Sequence, residues 1–125
     1  MSQYHYIFIH PGTPREQLLA DISFACGVQL APVSSEYIDY AANLGQAAVE
    51  VEFSHEYEED YGIPFERYES LFTIRDFGSD LARQEALARE IFGRLASLGR
   101  YSLMLVLDLQ QLIETATPRD IGSAK

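Results

Sequence analysis

The chain has 125 residues, 47% apolar and 22% charged, so it is large enough for one hydrophobic core and too apolar for wholesale disorder. Its net charge of −10 sets 19 carboxylates against nine Lys and Arg side chains. That balance excludes nucleic acid and anionic membrane surfaces as partners, since both need basic groups, and it favours basic proteins or cations.

The first residues, MSQYHYIFIH, contain neither a basic n-region nor a small-residue cleavage site. The longest apolar run, residues 103–107, is too short to span a bilayer. The single cysteine, Cys26, cannot form an internal disulfide and suits a reducing compartment. A cytoplasmic protein is expected.

In chain order, residues 4–10 (YHYIFIH) are aromatic and β-branched and predict a strand. Pro11 and Gly12 turn the chain. Thr13, Pro14 and Glu16 predict a helix start: Thr13 as cap, Pro14 at the first helical position, Glu16 reaching back. Leu18, Leu19, Ile22, Ala25 and Cys26 recur at helical spacing, and Gly27 closes a helix over 14–26. Residues 28–35 form a connection with a short extended piece, and a second strand is predicted from Tyr37. Residues 43–46 read as a turn.

From Ala47, a period-2 pattern places Val49, Val51 and Phe53 inward and Glu50 and Glu52 outward on a strand. Residues 55–67 are too polar for a strand and predict a long loop, and 68–76 return to a strand with Phe72 and Ile74 on one face. Ser79 is the predicted cap of a second helix, with Asp80 favourable at its positive end. Its apolar stripe is Leu81, Ala88, Ile91, Phe92, Leu95 and Leu98; Glu85–Arg89 and Glu90–Arg94 are i,i+4 pairs. Residues 101–108 predict a last strand, and 109–115 a short helix. One α+β domain over 1–116, followed by a frayed tail over 117–125, is expected.

The order β-α-β-β-β-α-β matches a ferredoxin-like two-layer sandwich with one extra strand: a mostly antiparallel sheet, two helices on one face. One tension accompanies this plan. Ile7, Phe8 and Ile9, and residues 103–107, are apolar on both faces, so something must cover the second face. The 109–116 segment or a second copy would serve, which makes a homodimer an open expectation.

No motif of catalysis, metal or cofactor binding emerges. The run His55, Glu56, Tyr57, Glu58, Glu59, Asp60 has neither zinc-helix spacing nor a calcium-loop glycine. The turn at His10–Thr13 lacks a phosphate-loop pattern. His5 and His10, five apart on a strand, point to opposite faces. Cys26 reads as core, and Ser34–Ser35 lack a nucleophile-elbow frame. Glu50 and Glu52 share a face, but a wet face does not raise a carboxylate pKa as acid–base work requires.

What remains is an acidic, aromatic stretch. Residues 50–69 hold eight carboxylates against Arg67, a net −7, interleaved with Phe53, Tyr57, Tyr61, Phe65 and Tyr68. Tyrosine makes a low-entropy anchor and carboxylates steer a cationic partner. Glu50, Glu52, Glu56, Tyr57, Glu58, Glu59, Asp60 and Tyr61 are therefore the candidate partner-binding residues. In size, charge and acid–aromatic surface the chain is similar to the small acidic immunity proteins that bacteria keep against their own toxins. The likeness lies in surface character rather than in a motif. It implies occlusion of a basic partner, a toxin or nuclease domain. The competing expectations are a dimeric ferredoxin-like enzyme or small-ligand binder, with the ligand between sheet and helices near Tyr4, Tyr6 and Tyr37, and a domain acidic only for solubility.

Overall fold

A computed structural model describes residues 3–118. The elements run β1 (His5–His10), α1 (Arg15–Cys26), β2 (Ala31–Pro32), β3 (Tyr40–Asn43), β4 (Ala47–Glu52), a 3-10 turn (Phe65–Arg67), β5 (Ser70–Asp76), α2 (Leu81–Ser97), β6 (Ser102–Leu107) and β7 (Gln111–Ala116). The seven strands form one sheet in the order β2-β3-β4-β5-β1-β6-β7, and every neighbouring pair is antiparallel. The protein is α+β, with a wider sheet than the five strands expected. The last seven residues, 119–125, hold most of the expected tail and lie outside the described part.

The alternation read along β4 holds: Val49 and Val51 are fully buried while Glu50 and Glu52 face the other way. Ile7, Ile9, Val49, Val51, Phe72, Ile74, Leu103 and Leu105 make one apolar sheet face, and both helices pack on it through Leu18, Ile22, Ala88, Ile91, Phe92 and Leu95. Each such side chain contributes ~1.5–3 kcal/mol by leaving water, most of it offset by lost conformational entropy. Among the described residues, the space between sheet and helices is occupied by these side chains.

Apart from His5 Nε2, which has no hydrogen-bond partner among the described residues, the side-chain polar groups buried in this layer are paired. Gln84 accepts from the Asp76 N–H (2.8 Å) and donates to the Gln3 carbonyl (2.9 Å) and to His5 Nδ1 (2.7 Å). Arg83 grips both oxygens of Asp76 at 2.7 and 2.9 Å and holds that carboxyl well below its usual range, aided by the Asp80 and Gly78 N–H groups. Tyr101 donates to Asp21.

Both helix starts differ from expectation. Asp80, not Ser79, caps α2, its side chain accepting from Arg83 N–H at 3.0 Å. Ser79 instead sits in left-handed backbone, φ 56°. At α1 the cap position falls on Pro14, so Thr13 lies one residue too far out, and no side chain caps that end. Gly27 closes α1 as expected, φ 75°.

Two further expectations are corrected. The strand predicted from Tyr37 begins at Tyr40. Residues 109–115 do not form a helix. Asp108 and Leu109 adopt left-handed backbone (φ 54° and 59°) and fold the chain back, so that β7 pairs with β6. Ile113 and Ala116 then pack against the core edge, a tertiary contact that outweighs helical propensity.

The 109–116 segment does not cover the second sheet face, because it joins the sheet as β7. The loop over residues 54–69 crosses that face. Ile63 (4% exposed) and Phe65 (1%) pack on Phe8, Leu71, Met104 and Val106. Phe65 and Phe8 lie 4.7 Å apart, centroid to centroid. This face therefore gives no reason of its own to require a homodimer. Phe65→Ala should lower unfolding free energy by about 3–5 kcal/mol in urea titrations and raise binding of a hydrophobic dye. A loss under about 1 kcal/mol would mean that the loop does not hold this face closed.

Candidate functional site

The loop over the second face is pinned at both ends and along its course. Ser70 donates to the Phe53 carbonyl at 2.7 Å, and His55 N–H to the Glu69 carbonyl at 3.3 Å. The His55 ring lies edge-on to Phe8 at 5.0 Å. Its Nδ1 accepts from Tyr57 N–H at 3.0 Å, which leaves Nε2–H to donate to the Tyr68 carbonyl. Burial pushes the His55 pKa down, against the backbone carbonyls that favour its charged form. His55 is thus a neutral brace that sets the direction of Tyr57. Glu69 is also committed: it accepts from Gly12 N–H at 2.9 Å. A Cβ on Gly12 would meet Ser70 Oγ at 2.3 Å, so only glycine permits this approach.

The loop tip is a tight turn. Asp60 and Ile63 exchange backbone hydrogen bonds (3.1 and 2.8 Å) around Tyr61 and Gly62, both in left-handed backbone (φ 52° and 75°). Glu59 accepts from Gly62 N–H and Asp60 from Tyr61 N–H, at 2.9 and 3.0 Å. Tyr61 is left 67% exposed at the apex.

The loop covers β1 and β6 but stops short of β4. Beyond it opens a groove of about 710 Å3, bounded on the far side by the segment 36–39. Its floor is set by strand register. Tyr6 pairs with Thr73 and Thr73 with Glu50; one row on, Leu71 pairs with Glu52. Tyr57 and Glu56 line it from the loop side, and Tyr37 and Asp39 from the other. With strands ~4.8 Å apart, a floor two to three strands wide spans roughly 10–15 Å.

Four of the eight expected partner-binding residues, Glu50, Glu52, Glu56 and Tyr57, meet in this groove. Glu58, Glu59, Asp60 and Tyr61 do not line it: they form an exposed acidic tip. Sequence reasoning did not assign Glu36 or Asp39 to a site, and it placed Tyr4, Tyr6 and Tyr37 near a different one. That Tyr6 shares a row with Glu50 depends on β5 lying between β1 and β4.

Electrostatically the groove is one-sided. Glu50 has Arg75 at 3.7 Å, and Asp39 accepts from Phe53 N–H at 2.8 Å. Glu52 has neither ion pair nor hydrogen bond among the described residues. Burial raises its pKa, and repulsion from Asp39, Glu50 and Glu56 raises it further. This corrects the expectation that the face is too wet to shift a carboxylate. Burial pushes Tyr6 up to about 12, with Tyr57 and acidic neighbours adding to it. Arg15 lines one end, its guanidinium 5.0 Å above the Phe53 ring.

Family models, curated proteins and solved structures give no match to this chain. The groove must be read from its own chemistry. No group of three or more His, Cys, Asp or Glu among the described residues is placed to hold a metal ion. No helix there is long and apolar enough to cross a membrane. Burial pushes the Cys26 thiol up to about 12, so it is a poor nucleophile.

A raised Glu52 pKa means that its charge opposes folding at neutral pH. The penalty fades as pH falls through the raised value and is gone below the ordinary 4.5, where folded and unfolded chains are both protonated. Glu52→Gln should therefore stabilise the protein at pH 7 by about 0.5 kcal/mol, the scale of one like-charge pair on a sheet face. Thermal melts at pH 7 and pH 4 check this, with the gain absent at pH 4. Destabilisation at pH 7 would show that Glu52 is held by a favourable contact.

Proposed function

We propose that this chain is an acidic protein-binding module that docks on a basic partner protein and occludes its cationic surface, as an immunity-type inhibitor does to a toxin or nuclease domain. The observation that carries the reading is the groove in which Glu52 lies half-buried, without an ion pair or hydrogen bond among the described residues, and which Tyr6, Tyr37 and Tyr57 also line, next to the Glu56–Asp60 tip of the loop. Such a surface is poorly satisfied alone and is completed by cations. The pinned loop supports it, because a preorganised surface loses less freedom on binding than a floppy acidic tail. The tip carboxylates, exposed and without ion pairs among the described residues, suit steering of a cationic partner at low salt.

We read the inner strands β4-β5-β1-β6, with α1 and α2 as crossovers, as a ferredoxin-like core widened by β2–β3 on one side and β7 on the other. A cytoplasmic location belongs to the same reading and is supported by the free Cys26.

The test compares the native chain with Glu56→Lys/Glu58→Lys/Glu59→Lys/Asp60→Lys against a panel of cationic nuclease and toxin domains by interferometry. The native chain should bind at least one member, with an association rate that falls steeply from about 20 to 300 mM salt. The variant should bind that member at least tenfold more weakly. Unchanged affinity at low salt, or no binder in the panel, would count against the reading.

A further inference from the structure

An acidic surface attracts any base, but this groove is more selective than its charge. Three of its residues, Tyr6, Tyr37 and Tyr57, offer flat phenol rings, and Glu50, Glu52 and Glu56 supply carboxylates among them. We propose that the groove on the second sheet face receives one arginine side chain of the basic partner, its guanidinium stacked on tyrosine and forked onto the Glu52–Glu56 carboxylates. This rests on the reading that the partner is a basic protein, and it specifies which of that partner's groups enters.

Arginine fits better than lysine for three reasons. A guanidinium is planar and stacks on aromatic rings, whereas an ammonium is a compact point charge. It is more weakly hydrated, so it loses less on entering a half-buried groove. It presents several donors in a fixed fork, which suits carboxylates approaching from neighbouring positions on one strand and the loop. Two of the chain's own guanidinium groups lie on aromatic rings in this way: Arg15 over Phe53 at 5.0 Å and Arg75 over Phe77 at 5.8 Å. The groups facing Glu52 are Asp39 from the 36–39 segment, Glu50 from its own strand, and Glu56 and Tyr57 from the loop. None of these four is a cation; the nearby cations are Arg15 at the groove's end and Arg75 on Glu50, so an incoming guanidinium relieves chiefly the repulsion at Glu52. A divalent metal fits less well, because these carboxylates are not clustered closely enough to ligate one.

The test is an NMR titration of the full chain with N-acetyl-arginine amide, N-acetyl-lysine amide and the neutral isostere N-acetyl-citrulline amide. The arginine probe should shift Tyr6, Glu52, Tyr57 and Thr73 resonances saturably, about tenfold more tightly than the lysine probe, with the citrulline probe inert. Glu52→Gln and Tyr57→Ala should each weaken it about tenfold, while Tyr57→Phe, which keeps the ring, should bind within about twofold of the native chain. Glu90→Gln, on the exposed side of α2 and paired with Arg94 away from the groove, should change nothing. Equal binding of the citrulline or lysine probe, or no saturable shift in the groove, overturns the proposal. Its failure is separable from that of the partner reading. A basic protein whose affinity depends on Glu58, Glu59 and Asp60 but not on Glu52 or Tyr57 leaves that reading standing and removes this one. Arginine binding without any protein binder does the reverse.

Discussion

The structure depends on how a sheet with two apolar faces is kept dry. β1 and β6 carry large apolar side chains on both sides: Ile7 and Ile9 against Phe8, Leu103 and Leu105 against Met104 and Val106. Two helices can cover only one side. The other is closed by the chain's most acidic segment, through two side chains, Ile63 and Phe65. A fully buried Phe or Ile contributes ~1.5–3 kcal/mol, while fixing each loop residue costs ~1–2 kcal/mol. Two anchors alone would not order sixteen residues. The loop also needs its hydrogen-bonded base at Ser70 and His55, the brace of His55 on Phe8, and the turn at Tyr61–Gly62.

The groove follows from where that cover stops. Ile63 and Phe65 sit over β1, β5 and β6, so the outward side chains of β4 are left at the foot of a step rather than on an open plain. This turns Glu50 and Glu52 from solvated surface residues into half-buried ones. Tyr6 on one strand and Tyr57 on the loop become neighbours across a floor that neither element could make alone.

The two sides of the sheet treat carboxylates in opposite ways. On the helix side Asp76 is gripped by Arg83 and backbone N–H groups, which pull its pKa down. On the groove side Glu52 meets only desolvation and like charge, which push its pKa up. The first arrangement stabilises the fold. The second opposes it, and persistent local strain of this kind is characteristic of surfaces kept for binding rather than for stability.

Much of the local structure was legible from residue order. The β1 aromatics, the inward valines of β4, the stripe of α2 and the closing Gly27 follow from periodicities of 2 and 3.6 and from the backbone freedom of glycine, all properties of near neighbours. The acid–aromatic stretch was legible as a surface of interest for the same reason. The segment after Asp108 was not, because Asp108 and Leu109 give no turn signal and Ile113 finds its place only against a folded core. Nor was the cover of the second face, since Ile63 and Phe65 stand singly in a polar run and show no period. The groove was the least legible feature. Its floor joins residues from β1, β4 and β5, and only strand order and register, which long-range pairing decides, place Tyr6, Thr73 and Glu50 in one row. The sequence by itself determined both helices, the inner strands and that one segment is acidic and aromatic; the tertiary structure decided that three of that segment's eight carboxylates, Glu50, Glu52 and Glu56, line a groove, because the cover of the second sheet face stops short of β4.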